Sequence, residues 1–335
     1  MARNLEGYTD SPIKNYVGYL NLRANETLTV KMSNGYEYTI KNMLGENQRI
    51  KIGTNHINTI WGSNASPTFT LLEGKNLEIT AKNGQADWIE LADNTSDCTI
   101  YAGDRNDTII VGQNSGKSKG HTIYGGDGND RIYNMTNDTN IYGEAGNDFI
   151  ELLTNGTANQ TSGEGFVVDG GDGEDTISIV TNGHHGLITG GAGDDKIFVG
   201  SSSSIWNYCY TDNTNIQGGS GNDKFIIVNG KNNVFGGNGN NIFEINDAIK
   251  SGYSINGGTG NDSFTINASD CEGTINGNSG NNTFIINGSN NQDIKTGSGN
   301  DTITVSGNNN KIDAQAGEDV ITVTGTNNEI NLCTG

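Results

Sequence analysis

A glycine-rich turn of the form G-G-x-G-N-D, followed by alternating apolar residues, recurs eleven times between Ala102 and Asp319. The clearest copies are Gly125-Gly126-Asp127-Gly128-Asn129-Asp130, Gly218-Gly219-Ser220-Gly221-Asn222-Asp223 and Gly257-Gly258-Thr259-Gly260-Asn261-Asp262. Glycine admits left-handed backbone that other residues avoid, so the residues read as a turn that glycine alone can make. Any chain built on such a turn places the acid that closes it beside its own copy in the next coil.

Taking the closing residue of each turn as position zero gives Asp107, Asp130, Asp148, Asp175, Asp195, Asp223, Asn241, Asp262, Asn282, Asp301 and Asp319. Two residues later stand only Ile or Phe, from Ile109 through the run Phe225, Phe243, Phe264, Phe284 to Ile321. Four residues later the position is aliphatic except at Asn134, and seven residues earlier it is Ile or Val throughout, from Ile100 to Ile312. Alternation with a period of two marks a strand with one buried face. The lone aliphatic before the turn belongs to a second strand, expected to be the shorter one.

Gaps between the zero positions run from 18 to 28 residues, with most near 18–20. A fixed period of this kind means a solenoid, in which each unit buries its apolar face only against its neighbours. The expected fold is all-β: a right-handed parallel β-solenoid of about 18–20 residues per coil, with the hand taken from the general crossover preference. Fifty glycines and two prolines suit so many turns, and a hydrophobic content of 32% is enough for a core this narrow.

Each coil has two unlike turns. The one opposite the acid is commonly Gly-x-Asn-Asn, as in Gly230-Lys231-Asn232-Asn233, Gly288-Ser289-Asn290-Asn291, Gly307-Asn308-Asn309-Asn310 and Gly325-Thr326-Asn327-Asn328. Asn tolerates left-handed backbone and stacks into ladders. Cation sites are therefore expected along one edge only. The longest gaps come from insertions near Thr154–Gly165 and Gly200–Asn213, expected to leave as loops on the acid-free side.

Net charge is −20. Coils sit about 4.8 Å apart, and two unit charges at that distance repel by about 0.9 kcal/mol in water and about 3–4 kcal/mol at an effective dielectric near 20. Summed over the column, this rivals the whole stability of a domain, about 5–15 kcal/mol. A divalent cation at each junction would reverse the sign. The turns offer carboxylates and backbone carbonyls without sulfur or imidazole, and such a set suits calcium, which accepts six to eight oxygens in loose geometry.

These residues resemble the hemolysin-type calcium-binding repeats, or RTX repeats, whose signature is the nonapeptide G-G-x-G-x-D-x-U-x, a calcium-binding β-roll repeat. The resemblance covers residues from about Leu77 to Gly335. It implies that Asp107, Asp130, Asp148, Asp175, Asp195, Asp223, Asp262, Asp301 and Asp319 are carboxylate ligands of Ca2+, shared between stacked turns and backbone oxygens. It also implies a segment of a larger secreted bacterial protein that folds when it meets calcium outside the cell. Asn241 and Asn282 keep a neutral oxygen at the ligand position, so these sites are expected to be weaker or empty. Arg105 stands where a turn glycine belongs, and Ala314-Gln315 replace the leading glycines of the last turn. With the motif on one edge only, the chain looks more like the solenoid segments of large bacterial surface adhesins.

Residues 1–75 show no clean repeat and read as a β-rich N-terminal cap, ahead of a calcium-binding solenoid at 76–335. Thr27–Met32 and Tyr36–Ile40 flank Ser33-Asn34-Gly35 as a hairpin, with further strands at Arg49–Ile52, Thr68–Leu72 and Leu77–Thr80. Asn83-Gly84-Gln85-Ala86-Asp87 looks like a worn repeat that begins the solenoid. At the other end the chain stops inside a turn, as a piece of a longer repeat protein would. The first residues lack a signal-peptide core.

Other chemistry finds little footing. Cys98, Cys209, Cys271 and Cys333 have no C-x-x-C spacing, and His56, His121 and His184-His185 form no metal pattern. No G-x-S-x-G, H-E-x-x-H or phosphate-binding loop is present, and no run approaches a membrane span. Nineteen Lys and Arg against thirty-nine acids disfavour nucleic acid. The expectation is a non-enzymatic, monomeric, secreted or surface-bound module of an adhesin, surface-layer protein or toxin. Its partners are calcium and, through a parent protein, a secretion or cell-surface partner. The alternatives are a fragment of a polysaccharide epimerase or lyase, or an ice-binding solenoid.

Overall fold

The computed structural model describes residues 3–5, 17–31, 35–53, 69–112, 118–136, 138–154, 165–181, 186–200, 214–228 and 231–332. Among them there is no helix, and none therefore long and apolar enough to cross a membrane. The chain divides into two compact units, Met1–Asn159 with Phe166–Gly171, and Gln160–Gly165 with Asp172–Gly335.

The first unit opens with antiparallel pairs. Thr27–Lys31 pairs with Glu37–Asn42, Glu37–Asn42 with Leu77–Ala81, and Gln48–Gly53 lies between Val17–Leu22 and Phe69–Lys75. The expected strands are all present, and residues 32–34 of the hairpin turn lie outside the described set. From Phe69–Lys75 and Leu77–Ala81 onward the pairing turns parallel. Leu77–Ala81 is followed in its sheet by Thr99–Asp104, Thr122–Asp127 and Asn140–Ala145, and Trp88–Ser96 in the other by Thr108–Val111, Arg131–Asn134 and Phe149–Thr154.

The second unit is parallel throughout. One sheet runs from Gly186–Ala192 through Asn215–Ser220, Asn233–Asn238, Ser254–Thr259 and Thr274–Ser279 to Glu329–Asn331. The facing sheet runs from Thr176–Thr181 through Lys196–Val199, Lys224–Ile227, Ile242–Ile245, Ser263–Ile266, Thr283–Ile286 and Thr302–Val305 to Val320–Val323. From Phe69–Lys75 and Leu77–Ala81 onward the first unit, and the second throughout, are thus two-sheet parallel β-solenoid, as the periodicity requires.

The apolar columns stand in register. Ile109 lies over Ile132 and Ile132 over Ile150, while Phe225, Phe243, Phe264 and Phe284 form a buried face-to-face stack with centroids 4.8, 4.6 and 4.5 Å apart. Asn134 keeps its place in the column and is fully buried. Its amide donates to Thr136 O at 3.0 Å and its Oδ1 accepts from the Thr136 hydroxyl at 2.7 Å, so a local polar knot replaces the missing aliphatic.

Two expectations are corrected. The strand before the turn is not the shorter one: Thr122–Asp127 and Ser254–Thr259 have six residues against four for Arg131–Asn134 and Ser263–Ile266. Pairing continues through the turn glycines, Gly237 opposite Gly258 for example, and lengthens it. Nor is the turn glycine's alone. Arg105, Glu144, Asn278 and Gln315 occupy turn positions at φ of 101°, 76°, 64° and 59°.

Candidate metal centre

The strand Thr122–Asp127 carries Gly125 and Gly126, and Gly128-Asn129-Asp130 returns the chain to Arg131–Asn134. Asp130 is buried under this turn. Its backbone N–H donates to Asp148 Oδ1 at 2.7 Å, and its own Oδ1 accepts from the N–H of Asp107 at 2.7 Å. Repetition makes a ladder in which each rung's N–H bonds to the carboxylate of the next. In the second unit the ladder joins Asp175 to Asp195, Asp195 to Asp223, Asp223 to Asn241, Asn241 to Asp262, Asp262 to Asn282, Asn282 to Asp301 and Asp301 to Asp319, at 2.7–3.0 Å. All eleven sequence-predicted residues thus fall into stacked columns.

One carboxylate oxygen is spent in this way. The other is not: Oδ2 of Asp107, Asp130, Asp195, Asp223 and Asp262 is buried and accepts no hydrogen bond. Its position is uniform. A Cβ built on Gly125 would lie 2.4 Å from Asp130 Oδ2 and 2.8 Å from the carbonyl oxygen of Gly143. The corresponding distances are 2.2 and 2.7 Å at Gly190 for Asp195 Oδ2 and Gly218 O, and 2.1 and 2.4 Å at Gly218 for Asp223 Oδ2 and Gly236 O. Where glycine leads the turn, an acid oxygen and a carbonyl oxygen converge on the space a side chain would fill. Two acceptors facing each other with no donor need either a proton or a cation between them.

Burial is the chief force on these acids. It pushes Asp107 up to about 8, against the opposing hydrogen bond from the Asp87 N–H and with further help from the charges of Asp130, Asp87 and Asp104. Burial likewise raises Asp130 and Asp195 to about 7, and Asp148, Asp223 and Asp262 to about 6. Hard oxygen ligands in a buried row, with no sulfur and no imidazole, fit a calcium ion. Among the described residues no three His, Cys, Asp or Glu side chains come together. Any cation here would take two carboxylates at most from neighbouring rungs and the remaining oxygens from backbone.

Asn241 and Asn282 differ in one atom and in consequence. Each keeps the ladder acceptor, but Asn241 Nδ2 donates to Gly257 O at 3.2 Å and Asn282 Nδ2 to Thr296 O at 3.0 Å. The amide answers the carbonyl that the acid oxygen only faces.

Some features went beyond the sequence reading, which took Asp87 as the end of a worn repeat but did not count it among the ligands. Asp87 is a further rung: it is buried, and its N–H donates to Asp107 Oδ1 at 2.6 Å while Tyr38 Oη donates to its Oδ1 at 2.5 Å. The signal was its spacing from Asp107, obscured by missing glycines. Thr296 and Ala102 stand where the first glycine stands elsewhere, and both are buried. The Thr296 hydroxyl donates to Ala314 O at 2.8 Å. Finally, the fifth turn position forms a second, exposed ladder of opposite sense. Asn129 N–H donates to Asn106 Oδ1, Asn240 N–H to Asn222 Oδ1 and Asn261 N–H to Asn240 Oδ1, at 2.9, 2.8 and 2.7 Å.

The opposite edge carries amides. Asn291 N–H donates to Asn310 Oδ1 and Asn310 N–H to Asn328 Oδ1, while Asn291, Asn310 and Asn328 Nδ2 reach Ala268 O, Gly288 O and Gly307 O. His121 on this edge is buried and held down to about 4 by that burial. Its Nδ1 accepts from Cys98 N–H at 3.2 Å and its Nε2 lies 2.7 Å from Ser118 Oγ, which makes it a neutral structural imidazole. Cys98 and Cys271 are buried free thiols, with Cys98 pushed up to about 12, chiefly by burial. His56, His184, His185, Cys209, Cys333 and residues 155–164 and 201–213 of the insertions lie outside the described residues.

A family model, that of the RTX calcium-binding nonapeptide repeat (4 copies), matches residues 122–134, 136–152, 187–203, 286–321 and 295–329. No curated protein and no solved structure matches the chain. The matched stretches lie in stacked parallel coils with acids such as Asp130, Asp148 and Asp195 buried between rungs, and so fit a segment of RTX calcium-binding β-roll.

Proposed function

We propose that the chain is a calcium-stapled structural module of an exported bacterial protein, an adhesin, surface-layer protein or toxin, with calcium completing its fold outside the cell. The coarser statement, a calcium-binding structural solenoid, follows from the repeats themselves. The observation that carries the finer one is the row of buried acid oxygens aimed at the carbonyl of the next rung's first glycine. Asp107, Asp130, Asp148, Asp175, Asp195, Asp223, Asp262, Asp301 and Asp319 are assigned as its carboxylates, and Asp87 joins them. Asn241 and Asn282 are assigned a neutral role. Calcium, when bound, supplies the positive charge and the tolerance for many oxygens that such a row lacks. The protein's part is to fix one oxygen of each acid on a backbone N–H, so that the other is held in place and the rungs remain one coil apart.

In this reading residues 1–75 cap the solenoid of residues 76–335, since an open end exposes strand edges. The module is a monomer without catalytic activity, and its partners are calcium and whatever surface or secretion apparatus the parent protein engages. The test is calorimetric titration of the chelator-treated chain with Ca2+, followed by circular dichroism. Several ions per chain and a gain of β signal are expected. An unchanged spectrum with no heat of binding would sink the reading.

A further inference from the structure

The rungs of the second unit are not alike in what answers the carbonyl of the first glycine. At Asp195 and Asp223 the acid oxygen faces Gly218 O and Gly236 O with no donor between them. At Asn241 and Asn282 the amide nitrogen donates to that carbonyl. At the next rung Thr296 replaces the glycine, fills the space beside Asp301, and gives its hydroxyl to Ala314 O. Three of the four rungs from Asn241 to Asp301 therefore carry a protein donor on that carbonyl, while Oδ2 of Asp262 and of Asp301 is buried without a hydrogen bond. The same coils hold the buried stack of Phe243, Phe264 and Phe284. On their opposite edge, Asn291 and Asn310 accept and donate without any ion. Independent features of core, edge and turn thus coincide in one stretch.

We infer that the coils from Asn233 to Val305 hold their stack without calcium, and that Asn241, Asn282 and Thr296 are the residues that release them from the requirement. The stretch is a standing template onto which the acid-closed coils are added when calcium arrives. This rests on the calcium reading above and specifies where along the column it applies. It also explains why the Asn rungs are not simply weak sites: a donor already lies against the carbonyl, so a cation would have to displace it.

The test is hydrogen exchange read by mass spectrometry on the full chain, in chelator and in millimolar Ca2+ at neutral pH. In chelator, amides of Asn233–Asn238, Ser254–Thr259 and Thr283–Ile286 are expected to exchange at least about a hundredfold more slowly than those of Thr122–Asp127 and Lys196–Val199, with calcium erasing the difference. The paired variant Asn241→Asp with Asn282→Asp should lose that protection in chelator and regain it with calcium, while the calorimetric stoichiometry rises. Calcium binding with uniform exchange along the chain would overturn this inference and leave the calcium reading intact. An absence of calcium binding would overturn both. Protection that survives the paired substitution in chelator would show that the amides are not its cause.

Discussion

At the scale of single residues, the column turns on the difference between an oxygen and an NH2. Asp130 Oδ2 and Asn241 Nδ2 hold equivalent places, and only the amide satisfies the carbonyl beside it. A buried acceptor left unanswered costs about 1–3 kcal/mol. Asp130→Asn should therefore raise the melting temperature in chelator and lower it in saturating calcium, a crossing that differential scanning calorimetry would read directly. A fall in both conditions would contradict the geometry. Gly125→Ala tests the same space from the other side. Its Cβ would come within 2.4 Å of Asp130 Oδ2 and 2.8 Å of Gly143 O, so the variant should lose one calcium in titration and unfold at lower temperature with calcium present. The acids were legible in the sequence because the turn before each and the alternating apolar residues after it survive every insertion. Asp87 was only half legible, since its turn has lost the glycines that announce a rung. Thr296 was counted as one more turn of the series, and nothing in a pattern says that a hydroxyl will reach Ala314 O.

At the scale of strands and turns, the columns translate period-two alternation into stacking that needs no metal. Phe264 is fully buried between Phe243 and Phe284 at 4.6 and 4.5 Å. Phe264→Ala removes both ring contacts and leaves a cavity, which costs about 3–5 kcal/mol. Urea melts should show that loss in chelator and in calcium alike, unlike any substitution in the acid column. The apolar face was legible because every inward position repeats. Strand length was not. It depends on whether backbone pairing runs on through glycines that carry no hydrophobic signal, as at Gly237 and Gly258. Backbone strain was misjudged for a related reason: neighbouring coils hold Glu144 and Arg105 in a conformation that a free peptide would reserve for glycine.

At the scale of the whole molecule, a net charge of −20 and a buried acid column set opposite responses to pH with and without metal. The shifted acids stand above their ordinary value of 3.8, at about 6 for Asp148, Asp223 and Asp262, about 7 for Asp130 and Asp195, and about 8 for Asp107. A carboxyl raised in the folded state contributes stability that is complete below its unfolded value and lost as pH climbs through the folded one. Metal-free protein should accordingly melt at progressively lower temperature between about pH 4 and pH 8. Calcium needs the ionised form, so its affinity should weaken in acid and its binding should release protons. Titrations in buffers of different ionisation enthalpy would count those protons. A chelator-treated chain whose melting temperature climbed over the same interval would contradict the burial of the column.

The two turn ladders run in contrary directions, one passing each N–H forward to the next acid and the other passing it back to the preceding Asn. Every coil is thereby a complete link, giving and receiving on both sides. Lengthening or shortening such a chain by whole links leaves every joint intact, whereas a cut within a turn spoils two joints together. Duplication of entire repeats is consequently the cheap route by which a gene of this kind changes the reach of its product.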